Sequence, residues 1–439
     1  MKILLLATAA LLGACAPLAT AAGPAAAGGT SASNIVRDAA LDALAERYVK
    51  LELAIGTQEE GYIDAYYGPP GWQVEAVADP GTKAELLVRT VELRSAIRAA
   101  APADAPGQRR AAWLAAQLTA AETRLRMMMG EKFSFLDEAQ GLFGVRPDPQ
   151  PLAGFDPILE EIDALVPGEG DLAARVDAFQ QRFVIAPDRL KPVMDRAIAE
   201  CRARTAAHIA LPPGESFDLE FVGGKPWSGY NYYKGGFHSL IQVNTDLPIG
   251  LSRAIDLGCH EGYPGHHVLN SLLEQRLANA RGWVEFSVYP LYSPQSLIAE
   301  GSANYGIELA FPGVERLNYE RDTLYPLAGL DPAGAGPYWA LQIAMRALSG
   351  ARLTIAQQYL DGQIDRAEAV RLTQKYQLVS RAGAEKAIDF TETYRSYILN
   401  YGLGMDMVQA SVEAGDPSED EMWRRFEAII SEPTLPGDL

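Results

Sequence analysis

Three of the chain's five histidines fall inside one eight-residue string, His260-Glu261-Gly262-Tyr263-Pro264-Gly265-His266-His267. Imidazole nitrogens and carboxylate oxygens hold zinc at ~2 Å, so two ligating nitrogens must come within roughly 3 to 3.5 Å of each other. The usual solution is H-E-x-x-H, whose i,i+4 spacing stacks both imidazoles on one helical face. Here the fifth position is Pro264, and that solution is closed. On an unbroken helix His266 would stand ~9 Å beyond His260 along the axis and about 240° round it, and His267 would share the face but lie ~10.5 Å away. Proline clashes with the carbonyl four residues back and removes a donor, so Pro264-Gly265 should kink or bulge the chain. A bulge that absorbs two residues brings His266 to where the second ligand belongs. The competing reading is two short helices joined at Pro264-Gly265 that carry unrelated histidines.

A catalytic zinc keeps three protein ligands and an open position for water. The third ligand expected here is Glu300, an acid among apolar and small residues in Leu297-Ile298-Ala299-Glu300-Gly301-Ser302-Ala303-Asn304-Tyr305, which reads as the inward face of a second helix. Its plainer reading is a carboxylate answering a helix N-terminus. Neighbours on a helix point ~100° apart, so Glu261 cannot share the metal-facing direction of His260. It suits the general base that takes a proton from the activated water. His267 is expected to orient a ligand or touch substrate.

Two further groups of residues could complete a site. Phe237 to Asn244 follows Gly235-Gly236 as a candidate strand, whose period of two sets His238, Leu240, Gln242 and Asn244 on one face. That mainly polar face suggests a cleft wall, with His238 and Asn244 touching substrate; a solvent-facing edge strand explains it equally well. Tyr394, Tyr397 and Tyr401 recur at spacings of three and four and offer hydroxyl donors for a developing oxyanion; an ordinary aromatic packing stripe explains the same spacing. Arg395 offers a bidentate partner for a substrate carboxylate.

The elements that must position these groups are mostly helical. Val36, Ala40, Leu44, Tyr48, Leu51 and Ile55 recur at helical spacing, as do Leu114, Leu118, Ala121, Leu125 and Met128 ahead of Gly130, and Leu172, Val176, Phe179 and Phe183. Between Glu215 and Pro248 the pattern changes to strand-like alternation, with Phe217, Leu219 and Phe221 on one face. The division expected is an N-terminal helical region over 34–204 and a metal-binding catalytic region over 205–439.

Composition sets the outer bounds. With 48% hydrophobic and 21% charged residues the chain is an ordinary globular one. Its formal net charge of -18 disfavours a nucleic-acid partner, because phosphate binding is driven by clustered cations. Lys2, the apolar Ile3 to Leu12 and the closing Leu12-Gly13-Ala14-Cys15 form an export signal over 1–15, too short to span a bilayer. Its ending resembles a bacterial lipobox, which implies cleavage before Cys15, lipidation of its sulfur and a membrane tether; Ala16 after it points to the outer membrane. Residues 16–33 read as a flexible Ala/Gly/Ser-rich linker. Cys201 and Cys259 then remain, either paired in an oxidising compartment or as two buried thiols.

The string H-E-x-x-P-G-H-H with a later E-G-x-A-x-Y segment resembles the bacterial family known as domain of unknown function 885. The resemblance runs over roughly 230–404 and takes in Tyr232-Tyr233, Phe237 to Asn244, Ala351-Arg352-Leu353-Thr354 and the Tyr394-Arg395 to Tyr401-Gly402 segment. It implies a zinc metallopeptidase-like protein acting on an acyl bond in a peptide, with Tyr401 near the cleft. Ser302 stands where the family has tryptophan, Glu308 is displaced by one position, and the helix after Ala351-Arg352-Leu353 lacks a histidine near its end, which touches substrate preference more than metal binding.

The reading as a whole is a mainly α, bilobed, metallopeptidase-like fold with a small β element at the cleft. His260, His266 and Glu300 would hold zinc, and Glu261, Tyr401 and Arg395 would act on a peptide substrate in the cell envelope. The alternative is a lipid-anchored binding or scaffold lipoprotein with a structural metal, closed by His267 or Cys259 as a fourth ligand.

Overall fold

The computed structural model describes residues 38–225 and 227–439, so the expected signal, Cys15 and the linker lie outside the described residues. Helices dominate, and the predicted stripes occupy them. Ala39–Gly56, behind an Asp38 N-cap, buries Tyr48, Leu51 and Ile55 of the first stripe, while Leu44 is half-buried, Ala40 is exposed and Val36 lies outside the described residues; Ala105–Met128 buries Leu114, Leu118, Ala121 and Leu125. Gly130, with φ +91°, follows the second helix where the chain turns away.

Among the described residues, five short strands accompany them. β1 (Ile63–Tyr66) pairs antiparallel with β5 (Val288–Pro290). The other three, β2 (Ser216–Val222), β3 (Gly229–Gly235) and β4 (His238–Asn244), form a sheet in the order β2-β4-β3, parallel between β2 and β4 and antiparallel between β3 and β4. The hairpin from β3 to β4 turns through Gly235 and Gly236, both at positive φ. β3 escapes sequence reasoning because Tyr230, Asn231, Tyr232 and Tyr233 carry no clean alternation of apolar and polar residues.

The described residues fall in one compact unit. Within it the main core runs from Leu41 to Ile430 and so draws on both sides of position 204. Three smaller cores join residues from 135–176 to residues from 341–398, giving a second lobe beside the main one. Burying one large and several small apolar clusters leaves a cleft of about 1560 Å³ lined by residues of both. No helix among the described residues is long and apolar enough to cross a membrane.

Candidate metal centre

The His260 segment is neither a plain helix nor a plain kink. Ser252–Leu257 is α-helical, Gly258–Gly262 continues as a wider π-turn, the Tyr263-Pro264 peptide is cis, and a new helix starts at His266. The chain is therefore two helical pieces joined at Pro264-Gly265, yet their histidines converge. Gly265 makes the reversal possible: its amide donates to the Cys259 carbonyl at 3.0 Å, and a β-carbon there would overlap the His260 carbonyl and stand 2.6 Å from that of Cys259. Pro264 in turn seats on Gly306, where a β-carbon would come within 2.7 Å of the proline ring.

Two fastenings hold this segment. Cys201 and Cys259 form a disulfide that ties the π-turn to the Pro187–Ala206 helix, and Gly258 lies flat against Ile198 of that helix. The second comes from His267. Its Nδ1 meets Ser239 Oγ at 2.8 Å and its Nε2 meets Glu215 Oε2 at 3.0 Å, while Tyr263 also donates to Glu215. Both ring nitrogens are thus used inside the core, so the expected contact of His267 with substrate or a ligand does not exist; it braces the turn instead.

The third candidate ligand arrives on the Pro294–Ala310 helix, which crosses the Leu399–Glu413 helix at a pair of glycines. A β-carbon on Gly301 would overlap the Gly404 backbone, and one on Gly404 would stand 2.8 Å from the Leu297 carbonyl oxygen. This close crossing places Glu300, one residue from Gly301, against the histidines. Glu300 Oε2 lies 3.2 Å from His260 Nε2 and 3.8 Å from His266 Nε2, and one donor atom from each residue lies within 4.8 Å of the others.

Neighbours fix the direction of each donor. Asn304 Oδ1 takes the Nδ1 side of His260 at 3.0 Å, leaving Nε2 aimed at Glu300, and Asn304 is itself oriented by donating to the Tyr401 carbonyl at 3.0 Å. Tyr397 donates to Glu300 Oε1 at 2.7 Å, whereas Oε2 is buried with no hydrogen-bond partner. An orphaned carboxylate oxygen facing two imidazoles is the arrangement a divalent cation completes. The charge states of Glu300 and His266 agree with this, whereas His260 must give up a proton to bind. Burial raises the Glu300 carboxyl, but His260, His266 and Tyr397 outweigh it and hold it below the usual range. Burial pushes His266 down to about 4, keeping its lone pair free. Burial also lowers His260, but Glu300, Glu261 and Asn304 overcome this and lift it to about 8. The three residues fit a metal ion.

Glu261 lines the same cleft and is buried, its carboxylate against Gly229 of β3, where a β-carbon would come within 2.7 Å. Its backbone carbonyl accepts from Asn231 at 2.7 Å. Burial, with Glu300 and Asp64 adding to it against His260 and Arg253, brings its pKa up to about 7. Such a carboxyl can take and return a proton near neutrality.

The remaining expected residues fare unevenly. Tyr401 lines the cleft. Arg395 does not: it pairs with Glu138 at 2.7 Å, and its φ of +53° ends the Arg381–Tyr394 helix, so Tyr394, Tyr397 and Tyr401 do not share one helix. Their rings nonetheless cluster, 6.0 Å apart in sequence order. His238 is half exposed beside Ser216 and Asp218, away from the cleft. Asn244 lines the cleft, but its amide donates to the Lys225 and Trp227 carbonyls and so shapes the loop before β3 rather than meeting substrate. Of the predicted face, His238, Leu240 and Gln242 do not line the cleft; the wall is made by Tyr230 and Tyr232 of β3, which lie beside Gln242 and Leu240. Tyr230 donates to the buried Asp64, whose pKa burial raises to about 6. Nothing in the sequence around Asp64 marked it.

No family model matches the sequence, and no curated protein matches it. Among solved structures, the chain is similar in fold to a candidate lipoprotein from Colwellia psychrerythraea, with a TM-score of 0.52 and 15% identity over 83% of this chain and 67% of that one. The M32 carboxypeptidase from Deinococcus radiodurans R1 is more distant, with a TM-score of 0.34 and 14% identity over 89% and 88% of the two chains.

Proposed function

We propose that this chain is a zinc-dependent hydrolase of the bacterial cell envelope, a peptidase anchored by a lipid on Cys15 and related to the domain of unknown function 885 family. The observation that carries the reading is the convergence of His260, His266 and the unpartnered Glu300 Oε2 beside Glu261 on the wall of a wide cleft. Two nitrogens and one carboxylate are a donor set that suits zinc. When bound there, zinc supplies a Lewis acid for a carbonyl and lowers the pKa of water. Glu261 then receives the water's proton and returns it to the leaving amine, a role its pKa of about 7 permits. Tyr401, whose phenol burial keeps protonated, donates toward the developing oxyanion.

Two features support catalysis over a structural metal. Cys259 is spent in the disulfide and His267 in its bonds to Glu215 and Ser239, so neither can close the coordination sphere. The disulfide also suits an oxidising compartment outside the cytoplasm. The test is metal analysis of the mature protein with digestion of a mixed peptide library, alongside Glu261→Gln. Stoichiometric zinc in both proteins, with turnover lowered roughly 10²–10⁴-fold in the variant, is expected; zinc with no cleavage of any library member overturns the peptidase reading.

A further inference from the structure

The cleft wall carries a guanidinium without a counter-ion. Four arginines line the cleft, and three are neutralised within the protein: Arg253 by Asp256, Arg346 by Glu308, and Arg316 by Asp256 and Glu320. Arg352, on the Ser349–Leu360 helix, has no ion-pair partner among the described residues, and its Nε is buried without a hydrogen-bond partner. Its guanidinium carbon instead lies 5.3 Å from the centre of the Phe390 ring and 5.9 Å from that of Tyr401. Ring faces attract a cation but accept none of its N–H bonds in the plane of the fork, so the charge is partly stripped of water and incompletely repaid. A carboxylate supplies what is missing, because its two oxygens match the planar guanidinium in a bidentate pair.

Position gives that vacancy its meaning. Two rings link Arg352 to the candidate metal ligands: its guanidinium lies 5.9 Å from the centre of the Tyr401 ring, which is 6.0 Å from that of Tyr397, whose hydroxyl donates to Glu300.

Resting on the hydrolase reading above, we infer that Arg352 binds the free carboxylate of the substrate, so that the chain acts on peptides next to their C-terminal end. The arginine in the Tyr394-Arg395 segment, held by Glu138, is not available for this. The inference differs from a general peptidase assignment in requiring a carboxylate at a set distance from the scissile carbonyl.

The test compares the zinc-loaded protein and Arg352→Gln on one peptide prepared as the free acid and as the C-terminal amide. A charged hydrogen-bonded pair is worth at least about tenfold in kcat/KM, so the wild type should cleave the acid by that margin over the amide and the variant should cleave both alike, with metal content unchanged. Equal cleavage of acid and amide by the wild type, or discrimination retained in the variant, overturns the proposal. If neither peptide is cleaved, the hydrolase reading fails and calorimetric binding of the same two peptides decides this one. Acid-selective binding lost in Arg352→Gln upholds the carboxylate site, and absence of that selectivity in the wild type refutes it. Should the variant fail to fold, the wild-type comparison of acid with amide stands alone.

Discussion

Gly265 packs directly on the carbonyl of His260, with no room for a side chain between the two peptide units. This contact, more than the proline beside it, returns the chain so that His266 can join His260. Gly265→Ala is accordingly expected to open the reversal and separate the imidazoles. Metal content after dialysis against a zinc buffer should fall below one ion per several chains on the order of the 10–100-fold affinity losses seen for misplaced ligands; a variant that retains full zinc would show that the turn adapts.

Asn304 gives a milder test of the same geometry. It holds the Nδ1 side of His260 and takes its own orientation from the Tyr401 carbonyl. Asn304→Ala should leave the fold intact and weaken zinc by about 10–100-fold, read by competition with a chromophoric chelator. Asn304→Asp, which restores the acceptor, should recover most of the loss.

Reduction of the Cys201–Cys259 bond frees a loop whose ends are 58 residues apart. The chain-entropy argument assigns such a cross-link about 4 kcal/mol. Cys201→Ser with Cys259→Ser should lower the thermal midpoint while dithiothreitol lowers that of the wild type and leaves the double variant unchanged. Because Cys259 precedes His260, zinc affinity should decline as well.

Glu52 offers a pH prediction remote from the metal. It is fully buried and accepts a hydrogen bond from Tyr62 at 2.7 Å; burial outweighs that bond and raises its pKa to about 8. A carboxyl raised in the folded state stabilises it fully below the unfolded pKa, and that contribution is lost as pH rises through the folded value. Glu52→Gln should therefore gain on the wild type in thermal stability between about pH 5 and about pH 8.5, and a gap independent of pH would contradict this.

The three converging residues were legible in the sequence because uncommon residue types in unusual settings carried them: histidines clustered beside an acid, and a glutamate among apolar and small residues. Proline marked where the helix must break. Less visible was how the break is shared, since a π-turn leaves no periodic signature and Gly265's role depends on a carbonyl five residues earlier. His267 was expected to orient a ligand or touch substrate, and only the folded core shows its ring committed to Glu215 and Ser239. Arg395 misled similarly, with its partner Glu138 far away in sequence. Asn304, Tyr397, Asp64 and Arg352 act through distant neighbours, and common residue types in ordinary spacing carry no local sign of that. The same limit hid β3, whose tyrosines serve the cleft rather than an alternating core face.

The glycine crossing of the Pro294–Ala310 and Leu399–Glu413 helices has a mechanical consequence. Backbone resting on backbone leaves no rotamers to rearrange, so these two rods move as a single piece and carry Glu300, Asn304 and the Tyr401 peptide with them. Any breathing of the cleft must then be taken up elsewhere in the molecule, leaving the spacing of Glu300, Asn304 and the Tyr401 peptide constant.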